Sequence, residues 1–222
     1  MSRRIGFVLV VFSLLLISVS SASAQRVEAS VNVGYSASEG INLDNRALLG
    51  QIFDTLAVDS GASFNFTVGV LATDQAEVEF LFSRQNSRLQ ADGPGGKLPI
   101  SELAVYNYMF NFVYNLGARD SKVRPYFFGG LGATQYTFGN NLLIGSTGNI
   151  ESESRFATNW GGGVKFYFSP RVGAKVGLRW TPTLIKSDAV GIWCDPFYGC
   201  WPLVDNDYSN QFETAGGITF RF

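Results

Sequence analysis

The sequence predicts an all-β fold: an eight-stranded antiparallel barrel that crosses a membrane on its strands. The last strand is the clearest sign. Phe212, Thr214, Gly216, Ile218, Phe220 and Phe222 alternate with Gln211, Glu213, Ala215, Gly217, Thr219 and Arg221, and a period of two with one apolar and one polar face marks a strand set between two media. Seven earlier stretches repeat the pattern. Composition agrees, with 14% aromatic residues, 25 glycines and two methionines, and after Gln25 no apolar run is long enough for a membrane helix.

The start of the chain predicts export. Arg3 and Arg4 precede an almost wholly apolar stretch from Ile5 to Val19, and Ala22, Ser23 and Ala24 form a small-x-small cleavage pattern. Residues 1–24 are expected to be a cleaved signal peptide, leaving 25–222 as one domain, the barrel. An uncleaved anchor is the other reading, but the run falls short of the roughly 20 residues that span a bilayer. A twin-arginine signal fits the flanking residues poorly, and a barrel must cross the inner membrane unfolded. An exported strand-built membrane protein belongs in the outer membrane of a Gram-negative-type bacterium.

The strands follow in order. The first, Val27 to Tyr35, sets Val27, Ala29, Val31, Val33 and Tyr35 against Glu28, Ser30, Asn32 and Gly34. The second, about Ala62 to Leu71, sets Phe64, Phe66, Val68 and Val70 against Ser63, Asn65, Thr67 and Gly69, and the third sets Ala76, Val78, Phe80 and Phe82 against Glu77, Glu79, Leu81 and Ser83. The fourth, near Leu103 to Asn115, carries Tyr106, Tyr108, Phe110, Phe112 and Tyr114 on one face. The fifth, Arg124 to Phe138, has two faces too alike to assign. The sixth opposes Phe156, Trp160, Val164, Phe166 and Phe168 to Asn159, Gly161, Gly163, Lys165 and Tyr167. The seventh opposes Val172, Ala174, Val176, Leu178 and Trp180 to Gly173, Lys175, Gly177 and Arg179. Each is near the 9 to 11 residues, or about that, which a tilted strand needs to cross the hydrocarbon.

Connector lengths alternate. Links at about 72–75, 116–122 and 169–171 are short; those at about 37–61, 87–101, 139–154 and 182–208 are long. Short periplasmic turns and long external loops have this asymmetry, which puts both chain ends in the periplasm. Within the first long link, Arg46 to Val58 has helix-like spacing at Leu48, Leu49, Ile52, Phe53 and Leu56, so a short helix on the rim is expected.

A soluble, lipocalin-like barrel is the rival fold, but it would bury the aromatic face. That face is too bulky for a narrow lumen. The opposite face carries Glu28, Glu77, Glu79 and Glu213 with Lys165, Lys175, Arg179 and Arg221, a balanced set that reads as an interior salt-bridge network. Glu28 and Arg221 lie on the two strands that must pair to close the sheet.

Two stretches resemble a known family. Val123-Arg124-Pro125-Tyr126-Phe127-Phe128-Gly129-Gly130-Leu131-Gly132-Ala133 is one; the other runs from Asn159-Trp160-Gly161-Gly162-Gly163 through Lys165 to Ser169-Pro170-Arg171-Val172-Gly173, with Arg179-Trp180 after it. Both are similar to bacterial outer membrane β-barrel domain proteins related to the OmpA and OmpX barrels, and the likeness extends from the first strand to Phe222. It implies that the aromatic ending, Phe220 and Phe222, is the signal read by the barrel insertion machinery. As the chain stands, no periplasmic domain follows the last strand, so a cell-wall tether is not expected.

The function classes narrow accordingly. A net charge of -1 offers no field for nucleic acid. The sequence has no histidine, so a serine nucleophile lacks an imidazole partner, and the outer membrane hydrolases of this architecture rely on one. Glu77 and Glu79, at i and i+2, could suit acid-base work, but ion pairing is the plainer use. Two cysteines without histidine cannot make a zinc set, Asp205-Asn206-Asp207 is a generic acidic stretch, and Gly161 to Gly163 lie within a strand rather than before a helix. No cofactor is expected.

The last long loop is the place for recognition. Ile192-Trp193-Cys194-Asp195-Pro196-Phe197-Tyr198-Gly199-Cys200-Trp201-Pro202 sets four aromatics around two cysteines. In an exported protein Cys194 and Cys200 are expected to form a disulfide. Trp193, Phe197, Tyr198 and Trp201 on that rigid tip could meet an extracellular ligand; alternatively the two tryptophans face each other across a hairpin whose end touches lipopolysaccharide. The reading is therefore a non-enzymatic, monomeric barrel with a filled interior, surrounded by outer membrane lipid and lipopolysaccharide, with recognition by its loops. A narrow channel for small solutes is the alternative.

Overall fold

A computed structural model describes residues 27–39, 41–48, 51–93, 96–141, 152–184, 192–195, 199–202 and 208–222. The signal segment lies outside them. Among the described residues are twelve strands: β1 Val27–Ser38, β2 Ile41–Leu48, β3 Gln51–Val58, β4 Gly61–Leu71, β5 Ala76–Gly93, β6 Gly96–Asn115, β7 Val123–Asn141, β8 Glu153–Tyr167, β9 Val172–Leu184, β10 Ile192–Asp195, β11 Gly199–Pro202 and β12 Tyr208–Arg221. Eight of them, β1, β4, β5, β6, β7, β8, β9 and β12, close into an antiparallel barrel. β1 completes the ring by pairing with both β4 and β12, with Glu28 opposite Arg221.

The facing follows from the period of two. Along β4 the burial alternates strictly, with Phe64, Phe66 and Val70 exposed and Ser63, Asn65 and Thr67 buried. The same alternation runs through most of β1, β5, β6, β9 and β12, and in β8 it is interrupted at the glycine run 161–163. β7, whose faces the sequence left unassigned, turns Arg124 and Tyr126 inward and Val123, Phe127 and Leu131 outward. The fold thus has an apolar exterior and a polar lumen, the inverse of a soluble barrel. So wide a belt of exposed aromatic and branched side chains suits lipid and not water.

The belt ends in rings at both edges. Toward the short turns, Tyr114 packs on Phe127 at 5.3 Å. Toward the other end, Phe82 packs on Tyr108 at 5.5 Å and Trp180 stacks on Phe212 at 6.3 Å. Trp180 Nε1 donates to Asn210 Oδ1 at 3.1 Å, which keeps the polar edge of the ring satisfied where membrane meets water.

Two expectations are corrected here. Residues 46–48 and 51–58 are not a rim helix: they lie in β2 and β3, with Leu49 outside the described residues, and β3 pairs with β5, Val58 opposite Leu89 and Leu56 opposite Ala91. Their apolar spacing suits either element, and the available partner strand decides. Residues 87–101 are not a long loop either. β5 and β6 stay paired out to Gly93 opposite Gly96, where Gly96 takes a φ of 107°. Opposite the step from Leu89 to Gln90, β6 gains Ile100 as a bulge, so Ile100 and Ser101 are both buried; Leu89, Gln90 and Ala91 are buried across from them. Leu89, Ala91 and Ile100 pack with Val58, Leu98 and Phe138 into an apolar cluster beyond the lumen. The period-two test fails at a bulge because one strand gains a residue.

Candidate functional site

Each inward strand position adds one side chain to the lumen, and the stagger of the ring brings distant residues to one level. All eight charges expected inside are buried. Nearest the short turns, Lys165 meets Glu28 and, at 3.0 Å, Glu77; Arg221 Nε lies 3.3 Å from Glu28. Tyr167 Oη donates to Glu28 at 2.7 Å, and Asn115 Nδ2 donates to Glu77 at 3.2 Å. One level up, Lys175 pairs with Glu79 at 2.7 Å, and Asn111 donates to the same carboxylate at 3.2 Å. Above that, Arg179 Nη2 reaches Glu213 at 2.7 Å and Ser83 Oγ at 2.9 Å, while Asn65 donates to Glu213 at 2.5 Å.

Tyr126 separates these levels. Its ring lies 5.4 Å from Lys165 Nζ and 5.1 Å from Lys175 Nζ, so both ammonium groups meet a π-face. Space for the ring exists because Gly163 and Gly177 stand beside it: a Cβ on Gly177 would come within 2.6 Å of the Tyr126 hydroxyl. The glycine run in β8 is therefore a packing device, with Gly161 under Phe128 in the same way.

Above the charges the filling becomes neutral. Thr183 Oγ1 donates to Thr134 Oγ1 at 3.1 Å, Thr134 to Asn107 Oδ1 at 2.8 Å, Asn107 Nδ2 to Gln211 Oε1 at 3.0 Å, and Gln211 Nε2 to Gln85 Oε1 at 2.6 Å. Gln85 then donates to the Asp59 carbonyl at 3.1 Å and to that of Ser36 at 3.4 Å. The chain runs from β9 through β7, β6, β12 and β5 to β1, across the whole lumen.

Sequence reasoning missed Arg124, which is fully buried. The signal was present: of the two alike faces of β7, only one holds a cation, and a membrane strand keeps charge off lipid. The neutral relay was also missed, since amides and hydroxyls on an inward face look the same whether or not they meet.

The loop candidates separate. In the β10–β11 ribbon, Trp193 lies opposite Trp201 and Cys194 opposite Cys200. Phe197 and Tyr198 fall outside the described residues. Phe220 and Phe222 point outward, 39% and 62% exposed. Among the described residues no group of histidine, cysteine and carboxylate side chains is placed to hold a metal.

Comparison with known proteins matches this geometry. Neisserial surface protein A superposes with a TM-score of 0.60 at 12% identity, covering 90% of this chain and 99% of that one. The outer membrane protein OprG from Pseudomonas aeruginosa gives 0.55 at 13% identity, covering 90% and 98%. AlkL, an outer membrane protein solved in lipid bilayers, gives 0.52 at 14% identity, covering 91% and 93%. At such identities the likeness concerns the fold. No curated protein matches the sequence. The model of the outer membrane protein β-barrel domain matches residues 9–220, so the chain belongs to that family and is an integral outer membrane protein.

Proposed function

We propose that this barrel is a sealed scaffold that presents its loops for surface interaction, and is neither a solute channel nor an enzyme. The lumen carries the reading: three levels of ion pairs lie under a hydrogen-bond chain that crosses from Thr183 to Ser36. The mid-barrel cavity among these side chains is about 40 Å³, room for a few waters, which supports the sealed reading.

The short turns support a periplasmic position for both chain ends, which puts the β10–β11 ribbon outside the cell. There the opposed Cys194 and Cys200 suit a disulfide, and a tip held by one loses little entropy when its rings meet a partner. The sequence without histidine supports the non-enzymatic reading. Phe220 and Phe222 suit recognition by the insertion machinery, and the lipid-facing belt suits a monomer among lipid and lipopolysaccharide.

Single-channel recording on the refolded protein in a planar bilayer tests this, in oxidised and reduced form. A silent membrane is expected with folded barrel present. Reproducible conductance steps would establish the narrow channel instead.

A further inference from the structure

The outward face of β5 changes character past the aromatic ring at its long-loop end. Val78, Phe80 and Phe82 belong to the lipid-facing belt, whereas Arg84, Asn86 and Arg88, the next three outward positions, are polar and exposed. Arg84 stands opposite Phe64 on β4 and Tyr106 on β6, and its guanidinium lies 5.6 Å from the centre of the Tyr106 ring. Arg88 stands opposite Glu102. Outward positions near the same end of β8, β9 and β12, namely Ser154, Pro182 and Asn210, carry no charge. The two arginines are therefore local to one side of the rim.

A recess lies over them. Arg84, Asn86 and Arg88 line an open cavity of about 650 Å³ together with Glu102 and Thr137. Asp59 borders it as well, but its carboxylate accepts from Gln90 on the buried face. Two cations thus face one free acid, beside an amide and a hydroxyl suited to sugar hydroxyls.

Height above the belt selects the occupant. With a rise of about 3.4 Å per residue and a tilt of about 40°, Arg84 lies about 5 Å above Phe82 and Arg88 about 16 Å above it. The polar layer of a bilayer is about 5–8 Å deep on each side. The single phosphate of a phospholipid meets Arg84 alone, whereas a glycolipid with acidic groups on successive sugars meets both. We infer that this recess docks the headgroup of an anionic glycolipid of the outer leaflet, Arg84 taking the phosphate nearest the acyl chains and Arg88 an acidic group on a sugar further out. Guanidinium forks suit such oxyanions, and the Tyr106 ring orients the first of them. The assignment rests on the long-loop end lying outside the cell.

Titration of the refolded full chain in maltoside micelles with deep-rough lipopolysaccharide, with lipid A and with phosphatidylglycerol, bound lipid being counted by native mass spectrometry, tests the inference. Expected is saturable binding of a single deep-rough lipopolysaccharide per barrel, with no phosphatidylglycerol retained at the same mole fraction. Arg84→Gln should weaken binding of both glycolipids about tenfold, while Arg88→Gln should weaken the lipopolysaccharide alone and leave lipid A unchanged. Both side chains are exposed, so the variants should keep the barrel, which circular dichroism verifies. Equal retention of phosphatidylglycerol and lipopolysaccharide, or undiminished glycolipid binding by the variant carrying both substitutions, would overturn it. Micelles offer lipid to both ends of the barrel, so the outcome is independent of its orientation and of the single-channel recording.

Discussion

The half of the lumen near the short turns is filled with ion pairs, whereas the opposite half holds amides, hydroxyls and finally hydrocarbon. In the first half every strand has a ring neighbour on both sides, and Lys165 and Lys175 meet partners 88 and 96 residues away in sequence. Such pairs are favourable only where geometry is fixed and remaining polar atoms are satisfied. In the second half β5 leaves β4 beyond Gln85 and takes β3 as its neighbour. Leu89, Ala91 and Ile100 pack there, beyond the aromatic ring, where water again makes hydrocarbon burial favourable. Inside the membrane belt, lipid offers no such gain, and polar contacts across the lumen take over the task of fixing the register.

The difference can be broken most sharply at Lys165. Lys165→Met would leave Glu28 and Glu77 buried without their shared cation, and a loss of about 3–5 kcal/mol is expected in urea unfolding followed by tryptophan fluorescence. Thr134→Val in the neutral half should lose only about 1–2 kcal/mol. Equal losses would erase the distinction between the halves.

A charge reversal of roles is testable at the middle level. Glu79→Leu alone should cost about 3 kcal/mol, yet Glu79→Leu with Lys175→Met should return to within about 1 kcal/mol of wild type. A double variant as unstable as the single one would mean that the pair itself, and not the avoidance of a lone charge, holds the barrel. Next in size, Gln211→Leu removes the link between Asn107 and Gln85, and about 1–3 kcal/mol should be lost in the same assay. Cys194→Ser should change barrel stability least, by under about 0.5 kcal/mol, because the β10–β11 ribbon forms a separate sheet. In wild type both thiols should resist alkylation until reduced, as read by mass spectrometry; immediate double alkylation would count against the disulfide.

Legibility followed the same division. Phe64, Phe66 and Val70 announced their outward face by alternation alone, as did Glu77 and Glu79 their inward one, because side-chain direction in a strand is set by the backbone. Where that period lapses, at the Ile100 bulge, the reading turned a paired strand into a loop. Where two periods fit the same residues, as at Ile52, Phe53 and Leu56, it chose a helix. In β7 it hesitated because Tyr126 and Phe127 are equally bulky, although the charge on Arg124 pointed to the lumen.

By itself, then, the sequence determined the ring of eight strands, the facing of seven of them and eight of the charges inside, all consequences of a period of two between lipid and lumen. Only the tertiary structure decided which cation meets which carboxylate, that β3 joins β5, and that Arg124 stands without a carboxylate. Those outcomes depend on the stagger between strands: sliding one strand by two residues keeps every side chain on its face and changes every partner across the lumen.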